Sequence, residues 1–335
     1  MRRCMWLPAM VGVLLPFSVR ADFDPKLFFK LIPSVVKVEA YNADGSVNIG
    51  SGVVVKEGIV ATNCHVTRKA RSIQVGQAGA RWTAHAQSRD MDHDLCLLHV
   101  PHATAPVVAF SPDKLKVGQA VIAVGYVGGV APQMSKGEIK ALYDYDGGGV
   151  IQSTTPFTSG ASGGGLFDEE GRLVGLVTFK HRGEQAYHFS LPLEWIFRNL
   201  DHALEKVEPL TGGRAFWERP LEDQPYFLRA AALEAGNQWT ALREVAEAWS
   251  WKEADNANAW LALGKALHYL NQDHQAVQAY RRALALDPES AETWYYLGLA
   301  QVALAENAEA DYALKVLAGL SPRLAEKLRQ SMALH

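Results

Sequence analysis

Three residue types that together can break an acyl bond stand far apart in this chain. His65 closes the apolar run "IVATNCHV", Asp94 precedes the run "LCLL" in "DMDHDLCLLHV", and Ser162 lies in "GASGGGLF". A serine hydroxyl is a poor nucleophile until a base takes its proton, and an imidazole can be that base. A carboxylate can then stabilise the imidazolium and hold its tautomer. Singly, each residue has a plainer explanation. A histidine after an apolar strand is more often structural, an aspartate there usually caps or begins the strand, and a glycine-flanked serine usually marks a tight turn. The order His…Asp…Ser within one β-rich stretch makes them a constellation. Asp90 and Asp92 compete with Asp94 for the acid's place. Together the three acids could attract a cation, although alternate acids in a turn are usually solvated. The remaining histidines lack metal-ligand spacing, so no metal and no cofactor is expected.

Residues 34–191 carry the elements that must position these groups. Short β-type runs such as "SVVKVEAY", "GSGVVV", "DLCLLHV", "QAVIAVGY" and "RLVGLVTF" are punctuated by Gly, Asp and Pro, with no long helical pattern between them. That spacing predicts an all-β sandwich or a pair of barrels. "LPLEWIFRNLDHALEKV" has helical periodicity and should close a domain spanning 22–207. "EPLTGGRAFWERPLEDQ" then reads as a linker, placed at 208–221.

From 222 to 335 the composition turns to Ala, Leu, Glu and aromatics, and a repeat emerges. Trp260, Leu263, Gly264, Ala276 and Pro288 recur as Trp294, Leu297, Gly298, Ala310 and Pro322 at a 34-residue offset. This resembles the tetratricopeptide repeat, with the best units at 257–290 and 291–324. Small residues let two antiparallel helices approach while Trp260 and Tyr280 fill the gap. A more degenerate unit precedes them, with Ala241 in the place of Ala276.

The N-terminus, "MRRCMWLPAMVGVLLPFSVRAD", has a basic start, an apolar run from Met5 to Phe17 and the small-residue site Val19-Arg20-Ala21. This is the layout of a secretory signal peptide over 1–21. The apolar run is shorter than the about 20 residues a bilayer span needs, so no membrane span is expected after cleavage. Export to the periplasm or beyond would follow. Cys64 and Cys96 would then remain in a compartment that permits disulfides. The 335 residues carry a formal net charge of −3 and no Lys or Arg run, which argues against nucleic acid as a partner.

Five local matches in order give a family resemblance. "TNCHV", "DLCLL", "GASGGG", "GRLVGLVTF" and "YHFSLP" resemble the motifs of the chymotrypsin-like peptidases of the HtrA/Deg family, over about residues 25–200. The resemblance implies a double β-barrel domain followed by an all-α solenoid of repeats. It implies an exported serine endopeptidase with His65 as base, Asp94 as orienting acid and Ser162 as nucleophile. The register before "LCLL" favours Asp94 over Asp90 and Asp92. The backbone N–H groups of Gly160 and Ser162 would form the oxyanion hole, with Gly163 and Gly164 leaving room for substrate. Thr178, Phe179 and Lys180 would form the edge that pairs with an extended substrate, and apolar or small residues are expected at the cut. Ala161 and Gly165 depart from the family pattern, which has Asn or Asp and Pro there. Cys64 and Cys96 should lie near the His–Asp contact, as a disulfide or as two buried thiols. The repeats stand where relatives carry PDZ domains and would recruit a protein or peptide. The alternative is a catalytically silent scaffold that binds through both parts.

Overall fold

The computed structural model describes residues 25–181 and 187–333, apart from the side chains of Lys180 and His181. The expected signal segment lies outside the described residues. After a short helix α1 (Pro25–Leu31) come β1 (Val35–Asn42), β2 (Val47–Lys56) and β3 (Ile59–Asn63). A single helical turn, α2 (Cys64–Thr67), leads to β4 (Ala70–Gln77), β5 (Ala80–Thr83), β6 (Ala86–Gln87) and β7 (Leu95–His99). The next group is β8 (Ala120–Val127), β9 (Ala131–Tyr145), β10 (Gly148–Ser153), β11 (Gly165–Phe167), β12 (Leu173–His181) and β13 (Tyr187–Pro192). Helix α3 (Leu193–Asn199) and the short β14 (Glu205–Lys206) complete the β-rich half.

The second group closes into a six-stranded barrel in the order β10-β13-β12-β11-β8-β9. The first forms an eight-stranded sheet, β14-β6-β7-β3-β2-β1-β4-β5, that stays open as a half-barrel. Period-2 alternation explains both. Strand β1 sends Val36, Val38 and Ala40 inward to meet Val54, Val60, Ile73 and Leu98. Strand β8 sends Val121 and Ala123 into the barrel and Ile122 and Val124 to the opposite face. There they join Val53, Leu95 and Leu97 in a core shared by both sheets. The catalytic candidates sit along that seam.

Among the described residues seven α-helices follow: α4 (Tyr226–Ala235), α5 (Trp239–Lys252), α6 (Ala257–Tyr269), α7 (Asp273–Leu286), α8 (Ala291–Ala303), α9 (Asn307–Leu320) and α10 (Pro322–Met332). Gly264 is required because a Cβ there would lie 2.3 Å from the ring of Tyr280. The repeated tryptophans have a role beyond filling space. Trp260 Nε1 donates to Ala254 O and Trp294 Nε1 to Pro288 O, each at 2.9 Å and each six residues upstream. They tie each unit to the turn before it. Asn256 and Ser290, one repeat apart, cap the N-termini of α6 and α8 by accepting from Asn258 N and Thr293 N, a contact typically worth about 1 kcal/mol.

The two halves pack directly. The Phe227 ring of α4 stacks on Tyr143 of β9 at 4.6 Å, and Asn258 Nδ2 donates to Leu142 O at 3.2 Å. Lys265 is buried between Glu234 at 2.8 Å and Glu292 at 2.7 Å. The stretch expected to be a linker is not slack: Ala215 is 2% exposed and Phe216 is fully buried. An Ala-Phe-Trp triplet inside Gly- and Pro-rich sequence was the signal of that burial, because exposed linkers rarely carry it.

Candidate active site

The β3–β7 register brings the candidate base, His65, and the candidate acid, Asp94, together. Asn63 stands opposite Leu95, so one step further Cys64 faces Asp94, and Cys64 N donates to Asp94 O at 3.2 Å. Asn63 Nδ2 donates to the same carbonyl at 3.0 Å. These bonds hold Asp94 at φ +60°, a left-handed conformation that aspartate tolerates better than most residues. Its carboxylate is turned fully onto His65. Oδ1 accepts the His65 backbone N–H at 2.8 Å, and Oδ2 lies 2.6 Å from His65 Nδ1. Asp94 is 1% exposed, and burial of a carboxylate demands such donors. With Nδ1 as the donor to Asp94, Nε2 is the imidazole's basic nitrogen. The Sγ atoms of Cys64 and Cys96 are bonded, which ties the turn carrying His65 to strand β7.

The loop that carries Ser162, the candidate nucleophile, is pinned by the other sheet. Ser51 N donates to Ser162 O at 2.7 Å and Ser51 Oγ to Gly160 O at 2.7 Å. Of the N–H groups from Gly160 to Gly164, Ala161 donates to Thr158 O, Gly163 to Val177 O and Gly164 to Ala161 O. Those of Gly160 and Ser162 have no partner among the described residues. The Ser159 carbonyl accepts from Gly128 N at 2.9 Å, and in a trans peptide the following N–H must point the opposite way. That orients the Gly160 N–H away from Gly128.

The glycines answer to backbone approach rather than to substrate space. A Cβ on Gly160 (φ +96°) would lie 2.3 Å from Tyr126 O, and one on Gly163 (φ +84°) 2.1 Å from Ser51 O. Gly164 would strike Val124 O at 2.3 Å. Gly163 and Gly164 therefore let the two sheets close on the loop. Gly165, where the family has Pro, lies in β11 with the Phe167 ring 2.3 Å from its would-be Cβ.

Ser162 Oγ donates to Thr178 O at 3.1 Å, and no hydrogen bond joins it to His65 among the described residues. Beyond Val177, β12 pairs with β13 on one side, Phe179 opposite Phe189 and Lys180 opposite His188. β11 begins opposite Leu176, so it does not run alongside Thr178–Lys180. The Thr178 and Phe179 side chains are themselves buried. The Phe179 ring is sandwiched between Phe189 and Trp217, at 4.9 Å on each face. Among the described residues no three His, Cys, Asp or Glu side chains converge as a metal site would require.

Residues 50–176 match the trypsin-like peptidase family model, and 264–304 match the TPR repeat model. The chain carries a trypsin-like peptidase domain. Serine protease Rv3671c of Mycobacterium tuberculosis is 30% identical over 193 residues, which is 51% of this chain and 48% of that protein. A probable periplasmic serine endoprotease, DegP-like, of Chlamydia trachomatis is 27% identical over 186 residues, 52% of this chain and 37% of that one. The chain thus spans about half or less of the length of the curated relatives it matches. The peptidase domain also resembles the crystal structure of the active form of the Rv3671c protease, with TM-score 0.51 and 26% identity. That match covers 61% of this chain and 99% of the other.

Several residues of the peptidase domain's site were not singled out in the sequence. Ser51 is one, a serine inside a strand that bonds Gly160 and Ser162 more than 100 positions away. Of the two other acids in the turn, Asp92 is exposed, as expected, although paired, whereas Asp90 is largely shielded from solvent. Asp90 Oδ2 lies 2.8 Å from His93 Nδ1 and accepts from Asn199 Nδ2 at 2.9 Å, and Asp92 pairs with Arg219. His93 Nε2 approaches Asp146 at 2.8 Å. Burial opposes charge on His93, but the hydrogen bond and negative charge of Asp90, with Asp146 and Asp92, raise its pKa above the ordinary 6.5. This clamp holds the turn that presents Asp94. Trp217 is the other omission; its indole Nε1 donates to Asp94 Oδ2 at 3.2 Å.

Proposed function

We propose that this chain is an exported serine endopeptidase that cleaves peptide bonds through Ser162, His65 and Asp94. The observation that carries the reading is the grip of both Asp94 oxygens on His65, one on its backbone and one on its ring. A turn of the Ser162 side chain from Thr178 O towards His65 Nε2 starts the reaction. His65 takes the hydroxyl proton as Oγ attacks the substrate carbonyl carbon, and Asp94 stabilises the imidazolium. The Gly160 and Ser162 N–H groups receive the oxyanion, each worth about 2.7–4 kcal/mol in the transition state. His65 returns the proton to the departing amine, leaving an acyl-serine. Water, activated by the same base, releases it.

The stretch Thr178–Lys180, which β11 does not run alongside, suits a substrate bound as an added strand. A cavity of about 110 Å³ beside Ala161, lined by Val124, Val127, Met134, Phe157 and Val177 with no charged residue, supports apolar or small residues at the cut. The helical repeats serve to recruit a protein or peptide. Export to the periplasm is supported by the signal-like N-terminus, the bonded Cys64–Cys96 pair and the likeness to a periplasmic DegP-like protein. No helix of the described residues is long and apolar enough to cross a membrane.

A second reading, a silent scaffold acting by binding alone, draws on the Ser162 hydroxyl's bond to Thr178 O. Labelling by an active-site fluorophosphonate separates the two. Wild type should react and Ser162→Ala should not; unlabelled wild type, with candidate peptides present, would favour the scaffold.

A further inference from the structure

We propose that Trp217 is a positioning residue for the His65–Asp94 pair, so that the segment joining the two halves completes the catalytic centre. The proposal deepens the peptidase reading and rests on it. The indole Nε1 donates at 3.2 Å to Asp94 Oδ2, the oxygen that also lies 2.6 Å from His65 Nδ1. The indole stands edge-on to the His65 imidazole, centroids 5.5 Å apart at 88°, and lies flat on Phe179 at 4.9 Å and 12°. One side chain thus touches the acid, the base and the strand beside the nucleophile.

A donor at this point has a defined effect. The terminal torsion of an aspartate is broad, so donors rather than rotamer preference set the carboxylate plane. Oδ1 is occupied by the His65 N–H, and without the indole Oδ2 would keep His65 Nδ1 alone. An indole N–H donates and never accepts, so it fixes Asp94 without competing for the proton on His65.

The backbone of Trp217 is clamped from both directions. Phe216 is fully buried, packs against Tyr145, Phe179, Trp195 and Phe227, and its N–H donates to Asp92 O at 2.8 Å. Glu218 pairs with Arg68 at 2.6 Å, and Arg219 pairs with Asp92. Gln224 Nε2 reaches back to Trp217 O at 3.0 Å and Arg219 O at 2.8 Å. Arg68 directly follows the turn that carries His65, and Asp92 belongs to the turn that carries Asp94. The same two segments that hold base and acid therefore seat the tryptophan. Phe227, on the first helix of the repeats, is part of the same aromatic cluster, so the helical region supports the pair through this segment.

The test compares full-length wild type, Trp217→Phe and Trp217→Ala. The phenylalanine variant keeps an aromatic ring to lie on Phe179 and loses the N–H together with the second ring of the indole. Its kcat per fluorophosphonate-titrated site should fall about tenfold, the scale of one hydrogen bond to a charged group, with KM unchanged. The low-field proton resonance of the His65 Nδ1–H should shift in the same variant. Trp217→Ala, which also strips the ring from the cleft, should change KM as well. A phenylalanine variant with wild-type kcat per titrated site and an unshifted resonance overturns the proposal. So does a variant whose losses follow only its melting temperature. If wild type itself neither labels nor turns over peptide, the peptidase reading fails, and the resonance comparison still decides the role of Trp217.

Discussion

Asp94 holds His65 at two points at once, its Oδ1 on the backbone N–H at 2.8 Å and its Oδ2 by the ring Nδ1 at 2.6 Å. The paired contact fixes where the imidazole sits and how it is turned, because neither oxygen can move without releasing the other. Asp94→Asn can keep its Oδ1 on the His65 N–H, but its amide NH2 would then face Nδ1 and impose the wrong tautomer. The expected loss in kcat is about 10⁴-fold, by analogy with the same change in other triads. Peptide turnover and fluorophosphonate labelling rate should fall together, while a variant that keeps a tenth of wild-type activity would refute the role.

Gly160→Ala meets two obstacles. The residue sits at φ +96°, and its Cβ would lie 2.3 Å from Tyr126 O. Relief requires the 159–160 peptide to turn, which would swing the Gly160 N–H off the oxyanion position. Loss of one such donor predicts about a 10²–10³-fold fall in kcat with His65 and Asp94 undisturbed. Rate and melting curve measured on one sample distinguish this from unfolding.

The clamp at His93 makes stability depend on pH. His93 has its folded pKa raised above 6.5 against the opposing effect of burial. Its stabilisation is complete below that value and is lost as pH climbs through the raised one. For Asp90, burial works to raise the pKa, and the hydrogen bonds from His93 and Asn199 outweigh it, so the folded value lies below 3.8. Its stabilisation is present above 3.8 and disappears as pH falls through the folded value. The melting temperature should be highest between these limits and decline on the alkaline side, and His93→Gln should flatten that decline. An unchanged alkaline profile in His93→Gln would show that the clamp contributes nothing.

The Cys64–Cys96 bond closes a loop across a sequence separation of 32. Loops of this size gain about 2–4 kcal/mol from such a link. The double Cys→Ser variant should unfold at correspondingly lower denaturant. Alkylation of unreduced, exported protein should block neither Cys64 nor Cys96, and two alkylated thiols on them would exclude the bond.

The legible parts of the site were local. His65, Asp94 and Ser162 announced themselves through immediate neighbours, "TNC", "LCLL" and "GA…GGG", because the turn that presents each group is built from adjacent residues. The repeats were legible for the same reason, since Gly264 and Tyr280 meet within one unit. The pattern around Ser162 suggests that Gly163 and Gly164 leave room for substrate, whereas they face Ser51 O and Val124 O, atoms of distant strands. Asp90 was expected to face solvent because its partner Asn199 lies 109 residues away.

Sequence alone thus determined which residues could do the chemistry, the β-rich and helical halves, and the 34-residue period, all carried by short-range spacing. Tertiary structure decided that Ser51 pins the nucleophile loop and that the Ser162 hydroxyl rests on Thr178 O. It also decided that the supposed linker brings Trp217 onto Asp94. Each of these is a contact between segments whose separation leaves no periodic trace. They exist because two sheets and a helical layer close on one seam, where most buried polar groups take a partner from whichever segment arrives.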